Sequence, residues 1–264
     1  WFASERSVPL LGNVMASRWA YEGMAVTQFM DNRYEQVFYA LDQRMKTANW
    51  KKDLWVRELE NRAGNVRRAV NGHPEGVDLA YELDLLRTEL AKEAVHVKGY
   101  AFARIAELQP GKVTAEVLDE LEASLDVLTQ HYRNVYKASE AEKERRIAAM
   151  TATPELRVAY FQLLDQYRNE SLADVVTNKN DVNVIVEDHG ELIQKNDPIY
   201  LEPVRSGFFG AQFYAPAKWF AGFRVPTLWA NAMVLWGMCL VLALTLYFEF
   251  FPRILKLIPS KSAH

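Results

Sequence analysis

From Val225 to Phe248 the chain carries no charged residue. As a helix, this run of 24 residues measures about 36 Å, enough to cross a hydrocarbon core of about 30 Å with some tilt. A chain that contains such a segment either places it across a bilayer or wraps it in a core of its own. The flanks favour the bilayer. Trp219, Phe220, Phe223 and Trp229 gather at one end and Tyr247, Phe248, Phe250 and Phe251 at the other, as interfacial aromatic belts do. Pro226 suits a first helical turn and Pro252 marks its end. A buried core helix of a soluble protein is the competing reading, and so long an uncharged run is rare there.

Orientation follows from the short tail. Arg253, Lys256 and Lys261 come after the run, and Lys218 and Arg224 come before it. Since long preceding domains add little to the positive-inside bias, the basic tail predicts a cytoplasmic C-terminus with residues 1–224 outside. Asn231 is the most polar side chain in the run. In lipid its amide needs a partner on another helix, or else it caps its own backbone or sits at headgroup depth.

Of the 31 basic and 34 acidic residues, all but three and one respectively precede the run, so residues 1–224 are mildly acidic. Without a basic stripe, nucleic acid is set aside as a partner. Half the residues are hydrophobic, which excludes a disordered chain. The single cysteine, Cys239, lies inside the uncharged run and excludes an intrachain disulfide. The first residue is Trp1, with no basic n-region behind it, so the sequence is expected to be a piece of something longer and not to begin with a signal peptide.

Before the run the spacing is helical. Residues 13–47 hold no proline and one glycine, with apolar positions at Val14, Trp19, Met24, Phe29, Val37, Phe38 and Leu41; they read as two helices breaking near Asp31-Asn32. The first is rich in aromatic and apolar residues, with Arg18 and Glu22 four apart as an ion pair. It wants a membrane surface or a partner; a core helix with a solvated Arg and Glu is the alternative. A further helix is expected over Asn49–Val70. Leu79, Leu83, Leu86, Leu90 and Val97 form one packing stripe, and Val117, Leu121, Leu125, Leu128, Tyr132 and Val135 form another, with Thr114 as its N-cap. A last helix over Pro154–Val176 completes an antiparallel bundle, and the charged residues 140–146 read as a solvated helix end or connection. Residues 178–204 change character. Val182-Asn-Val-Ile-Val186 with the turn at Gly190 suggests a small strand or extended segment returning to the membrane.

No Gly-x-x-x-x-Gly-Lys-Ser/Thr loop, His-x-x-x-His pair or Gly-x-Ser-x-Gly elbow is present. The sequence therefore nominates no catalytic residue, cofactor ligand or metal ligand, and the five histidines read as solvated or packing residues.

Two stretches carry a resemblance. Met15-Ala-Ser-Arg-Trp-Ala-Tyr-Glu-Gly-Met-Ala-Val-Thr-Gln-Phe29 resembles the segment after the fifth membrane helix of G-subfamily ATP-binding cassette (ABC) transporters. Gly207-Phe-Phe-Gly-Ala-Gln-Phe-Tyr-Ala-Pro-Ala-Lys-Trp219 with Pro226-Thr-Leu-Trp-Ala-Asn231 is similar to the approach to the last membrane helix in bacterial members. The resemblance covers roughly residues 8–48 and 178–256; two departures are the long stretch between the motifs and the absence of cysteine outside the membrane segment. It implies a mainly α fold with membrane-apposed helices, an extracytoplasmic helical bundle insert and one C-terminal transmembrane helix. In that division, residues 1–48 form a membrane-apposed or re-entrant segment, 49–177 the bundle, 178–224 the return to the membrane, 225–248 the span and 249–264 a cytoplasmic tail. It further implies a permease of the bacterial inner membrane, paired as a homodimer or pseudo-dimer, with ATP and Mg on a cassette and five spans that lie outside this sequence. Arg18, Trp19, Glu22, Phe29, Lys218 and Asn231 are then candidate structural or gating residues of an outer gate. A single-pass anchored sensor or adaptor is the alternative.

Overall fold

The computed structural model describes residues 10–73, 75–203, 211–220 and 222–250. Pro252, the basic tail and Gly207–Gly210 of the second motif lie outside them. The chain is mainly helical and divides into two compact units, one of Phe29–Leu201 and one of Trp1–Gln28 with Glu202–His264.

In the first unit, the break at residues 31–34 comes from Asn32, whose Oδ1 accepts from the backbone N–H of Tyr34 and Glu35 at 3.0 and 2.8 Å. This competes with helix continuation and restarts the chain as α3, Glu35–Trp50. The separate helix expected over 49–70 is not separate: a π-helical turn at Lys51–Trp55 joins α3 directly to α4, Val56–Val70. The wider turn brings Trp50, Trp55 and Val56 all into the core. On α4, Val56, Leu59, Ala63 and Val66 follow the three-and-four spacing of one helical face and are fully buried. They meet α5, Leu79–His96, capped by Asp78, and α6, Ala115–Met150, capped by Thr114. Leu83, Leu86 and Leu90 of α5 and Val117, Leu118, Leu121, Leu125 and Leu128 of α6 complete one apolar core.

Residues 140–146 belong to the interior of α6, which runs on to Met150, and not to its end or to a connection. Lys143 and Arg146 explain the length. Lys143 Nζ lies 2.5 Å from Asp42 and Arg146 Nη1 donates to the Val37 carbonyl at 2.8 Å, so this charged stretch packs along α3. The last predicted helix is two. α7, Pro154–Tyr167, and α8, Glu170–Val176, are separated because Asn169 leaves helical geometry and caps Leu172. The strand expected over 182–186 is a hairpin slightly further on, β1 Ile185–Asp188 against β2 Glu191–Gln194, with Gly190 supplying a positive φ in the turn.

The second unit contains α1, Leu10–Val14, and α2, Ala16–Met30, whose last residues pass into the first unit. It also contains the hairpin β3, Ala217–Phe220, with β4, Phe223–Pro226, and then α9, Thr227–Tyr247. Pro226 is the cap and not the first helical residue. Among the described residues, α9 is the one helix long and apolar enough to cross a membrane. Its surface is apolar and exposed almost all round, at Trp236, Leu240, Val241, Leu242, Leu244 and Leu246. A soluble core helix would have buried them.

Candidate functional site

Trp19 and Glu22 lie on one face of α2, at the three-residue spacing that aligns helix side chains, and both are buried. That face meets the first turn of α9 at Gly23, where an added Cβ would stand 3.6 Å from Asn231. Small residues allow such close helix approach. Thr227 fixes where α9 starts: its hydroxyl donates to the Ala215 carbonyl and its N–H to that of Pro216 at 3.3 Å.

Glu22 Oε2 collects the polar groups of the unit. Lys218 Nζ of β3 lies 2.6 Å away, Asn231 Nδ2 of α9 donates at 2.9 Å, and Arg18 Nη2, one turn back on α2, stands at 3.4 Å. Asn231 Nδ2 also donates to the Trp19 carbonyl at 2.9 Å. The Trp19 ring is flanked by both cations, with the Arg18 guanidinium 3.9 Å and Lys218 Nζ 4.4 Å from its centroid. Trp19 Nε1 donates to the Asn13 carbonyl at 2.8 Å and holds the α1–α2 junction. Arg18 also faces the Phe213 ring at 5.5 Å, beside the aromatic contacts of Tyr21 with Phe213 and Tyr214.

A lysine as buried as Lys218 keeps its charge only through its carboxylate partner. Burial pushes its ammonium down to about 8; Glu22 opposes this and Arg18 adds to it. In the unfolded chain the same group holds its proton to about 10.4. Between the two values the folded state binds fewer protons, so stability is expected to rise with pH across that window. The gain is at most about 3 kcal/mol by its upper end. Thermal unfolding of the intact chain against Lys218→Met, compared between about pH 7 and pH 10, checks this. The wild type should gain relative to the variant as pH rises, and a constant difference would contradict it.

Of the six residues nominated in the sequence, five come together here: Arg18, Trp19, Glu22, Lys218 and Asn231. Phe29 does not join them; it is buried in the other unit with its ring edge-on to Tyr200 at 6.0 Å. Asn231 finds its partners on another helix, the first of the options open for it.

A second polar network went unread in the sequence. Inside the bundle, Glu89 Oε2 accepts from Trp55 Nε1 at 2.7 Å and Glu89 Oε1 from the Leu192 N–H at 3.1 Å. Glu93 accepts from Lys51 at 2.6 Å and from the Tyr132 hydroxyl. These bonds tie the π turn, α5, α6 and β2 together. The available signal was the placement of Glu89 and Glu93 beside Leu86 and Leu90: carboxylates on a core-facing stripe must be paired. Among the described residues no group of three or more His, Cys, Asp or Glu is disposed to hold a metal ion. Compared with known proteins, the chain matches no family model, no curated protein and no solved structure.

Proposed function

We propose that this chain is the C-terminal part of the membrane subunit of an ATP-driven ABC transporter of the G-subfamily kind, an exporter in a bacterial inner membrane. In this reading α9 is the last span, α1 and α2 lie at the outer membrane boundary as part of the outer gate, and residues 49–177 form an extracytoplasmic domain. ATP and Mg act on a cassette elsewhere in the parent protein, and a second permease half completes the pathway. The observation that carries the reading is the buried Glu22 carboxylate, bonded to both Lys218 and Asn231. A span that only tethered a soluble domain would need no aromatic helix locked onto its first turn through a charge. The two motifs that resemble the family contain the members of this cluster, and the order in the chain agrees.

If Arg18 and Glu22 hold the gate helix in place, replacing both with Gln should abolish ATP-driven transport by the intact parent while its membrane insertion persists. Unchanged transport would overturn the gating role. The second reading, a single-pass anchored sensor or adaptor, is favoured by one observation: the bundle possesses a complete core of its own. The upstream coding region separates the two, since five further spans and a P-loop belong to the transporter and a signal peptide just ahead of Trp1 to the sensor.

A further inference from the structure

One face of α3 fastens the last stretch of the first unit, which ends at Leu201. Tyr39, Gln43, Lys46 and Trp50 follow one another at the three-and-four spacing that aligns helix side chains. The Tyr39 hydroxyl donates to the Ile199 carbonyl at 2.6 Å, Gln43 Nε2 to that of Tyr200 at 2.8 Å and Trp50 Nε1 to that of Val184 at 3.2 Å, while Lys46 Nζ lies 3.1 Å from Asp197. Glu35 and Asp42 stand on the same face by the same spacing.

Three carboxylates meet at this fastening. Glu35 is buried, and no hydrogen bond or ion pair joins its carboxylate to the described residues. The Lys143 ammonium of α6 is bonded to Asp42 instead. Burial and then the charge of Asp42 push the Glu35 carboxyl up, with Lys143 and Arg168 opposing. Asp197 is also buried, in left-handed geometry at φ 57°, and its Oδ2 accepts from Asn196 Nδ2 at 2.9 Å. Burial pushes its carboxyl up as well, with the half-exposed Lys46 and then Asn196 opposing. The buried Tyr200 phenol feels all three: burial raises it first, and Asp42, Glu35 and Asp197 add to the rise.

The direction of the response follows. A carboxyl held above its unfolded value, about 3.9 for Asp and about 4.3 for Glu, keeps a proton in the folded state that the unfolded chain has already released. Its contribution to stability is complete below the unfolded value and is lost as pH rises through the folded one. We infer that Glu35 and Asp197 form a proton-operated clasp: proton uptake by the two carboxylates tightens Asn196–Leu201 onto α3, and proton loss loosens it. The bonds from Tyr39 and Gln43 carry no charge and keep the segment docked in both states. The clasp makes the point where the chain leaves the bundle respond to the acidity around it. It concerns the first unit alone and stands or falls independently of α9 as a membrane span.

The test is hydrogen exchange of the full chain in detergent micelles, read by mass spectrometry at about pH 5 and about pH 7 and corrected for the intrinsic exchange rate. The reporters are the Asp197, Tyr200 and Leu201 amides, which donate to the carbonyls of Thr177, Asp197 and Pro198 at 2.8, 2.9 and 3.2 Å. Their protection should rise in acid relative to the amides of Leu121, Leu125 and Leu128 in the core of α6. The double variant Glu35→Gln with Asp197→Asn carries neutral side chains of the same shape, and Asn tolerates the left-handed geometry of this position. It should be as protected at the higher pH as the wild type is at the lower one, and its pH response should be lost. Asp84→Asn, which removes an exposed carboxylate of α5, should keep the response. Wild-type protection that stays flat or falls in acid would overturn the clasp, whatever the variants do. A response undiminished in the double variant would overturn its assignment to Glu35 and Asp197, and an equal loss in Asp84→Asn would overturn it in favour of a general effect of net charge.

Discussion

Glu22→Gln is expected to destabilise the unit that contains α9 by about 3–5 kcal/mol, the range for removing one member of a buried ion pair. The amide preserves the shape of the side chain but leaves Lys218 and Arg18 facing each other without a counter-charge. The loss should therefore exceed what the severed hydrogen bonds alone would cost. Seven tryptophans are spread over both units, so the readout is heat unfolding followed by circular dichroism, which should show an early transition in the variant that the wild type lacks. The decisive comparison is the double replacement Glu22→Leu with Lys218→Met. Substituting apolar side chains for both members removes the Lys218 charge and leaves Arg18 as the one cation without a counter-charge, so the double variant should be more stable than Glu22→Gln alone, which leaves two. Additive losses would mean that the pair is not the organising contact.

Trp55→Ala should cost the helical bundle a similar amount, about 3–5 kcal/mol, from the cavity left by a large, fully buried ring. Two polar consequences add to it. Glu89 Oε2 loses its indole donor, and the Lys51 ammonium loses the ring 3.7 Å away. Trp55→Phe separates these effects, since it fills most of the space but cannot donate. It should cost about 1–3 kcal/mol, the penalty of leaving a buried carboxylate oxygen unsatisfied. Denaturant unfolding followed by far-ultraviolet circular dichroism measures both, and a Phe variant as unstable as the Ala variant would show that the hydrogen bond dominates the packing.

The packing seams were legible because burial imposes a period that residue type reveals. The spacing of Leu83, Leu86 and Leu90, and of Leu121, Leu125 and Leu128, predicts helix faces, and all six side chains are buried. Thr114 stands where a cap is expected and accepts from the Val117 N–H at 3.3 Å. Chain breaks were harder. Asn32 ends a helix and Asn169 separates two, yet only the first is legible, because its Asp-Asn pair interrupts the apolar pattern and Arg168-Asn169 does not. The π turn has no composition signal at all; Lys51–Trp55 reads as ordinary helix, and the extra residue is chosen by the need to bury Trp50, Trp55 and Val56 together.

The candidate site was legible as a set of residue types and not as an assembly. Arg18 and Glu22 are four apart, a spacing that local geometry decides, and the ion pair formed. Lys218 is 196 positions from Glu22 and Asn231 is 209 positions away, and no periodicity connects them. What made each conspicuous was a mismatch with its neighbours: a carboxylate in an aromatic helix, and an amide in a run without charge. Polar groups in apolar surroundings require partners, and here the misfits partner one another. Glu89 and Glu93 were mismatches of the same kind, hidden by the abundance of charge elsewhere on their helix.

The placement of the chain across a bilayer is tested most directly by cysteine accessibility in cells producing the intact parent protein. After Cys239→Ser, single cysteines are placed at exposed positions of α6 and after Lys256, and probed with a membrane-impermeant thiol reagent. A spanning α9 with a cytoplasmic tail predicts labelling of α6 from outside and protection of the tail until the membrane is opened. Labelling of α6 only from the cytoplasm would contradict the orientation and the outer-gate role together.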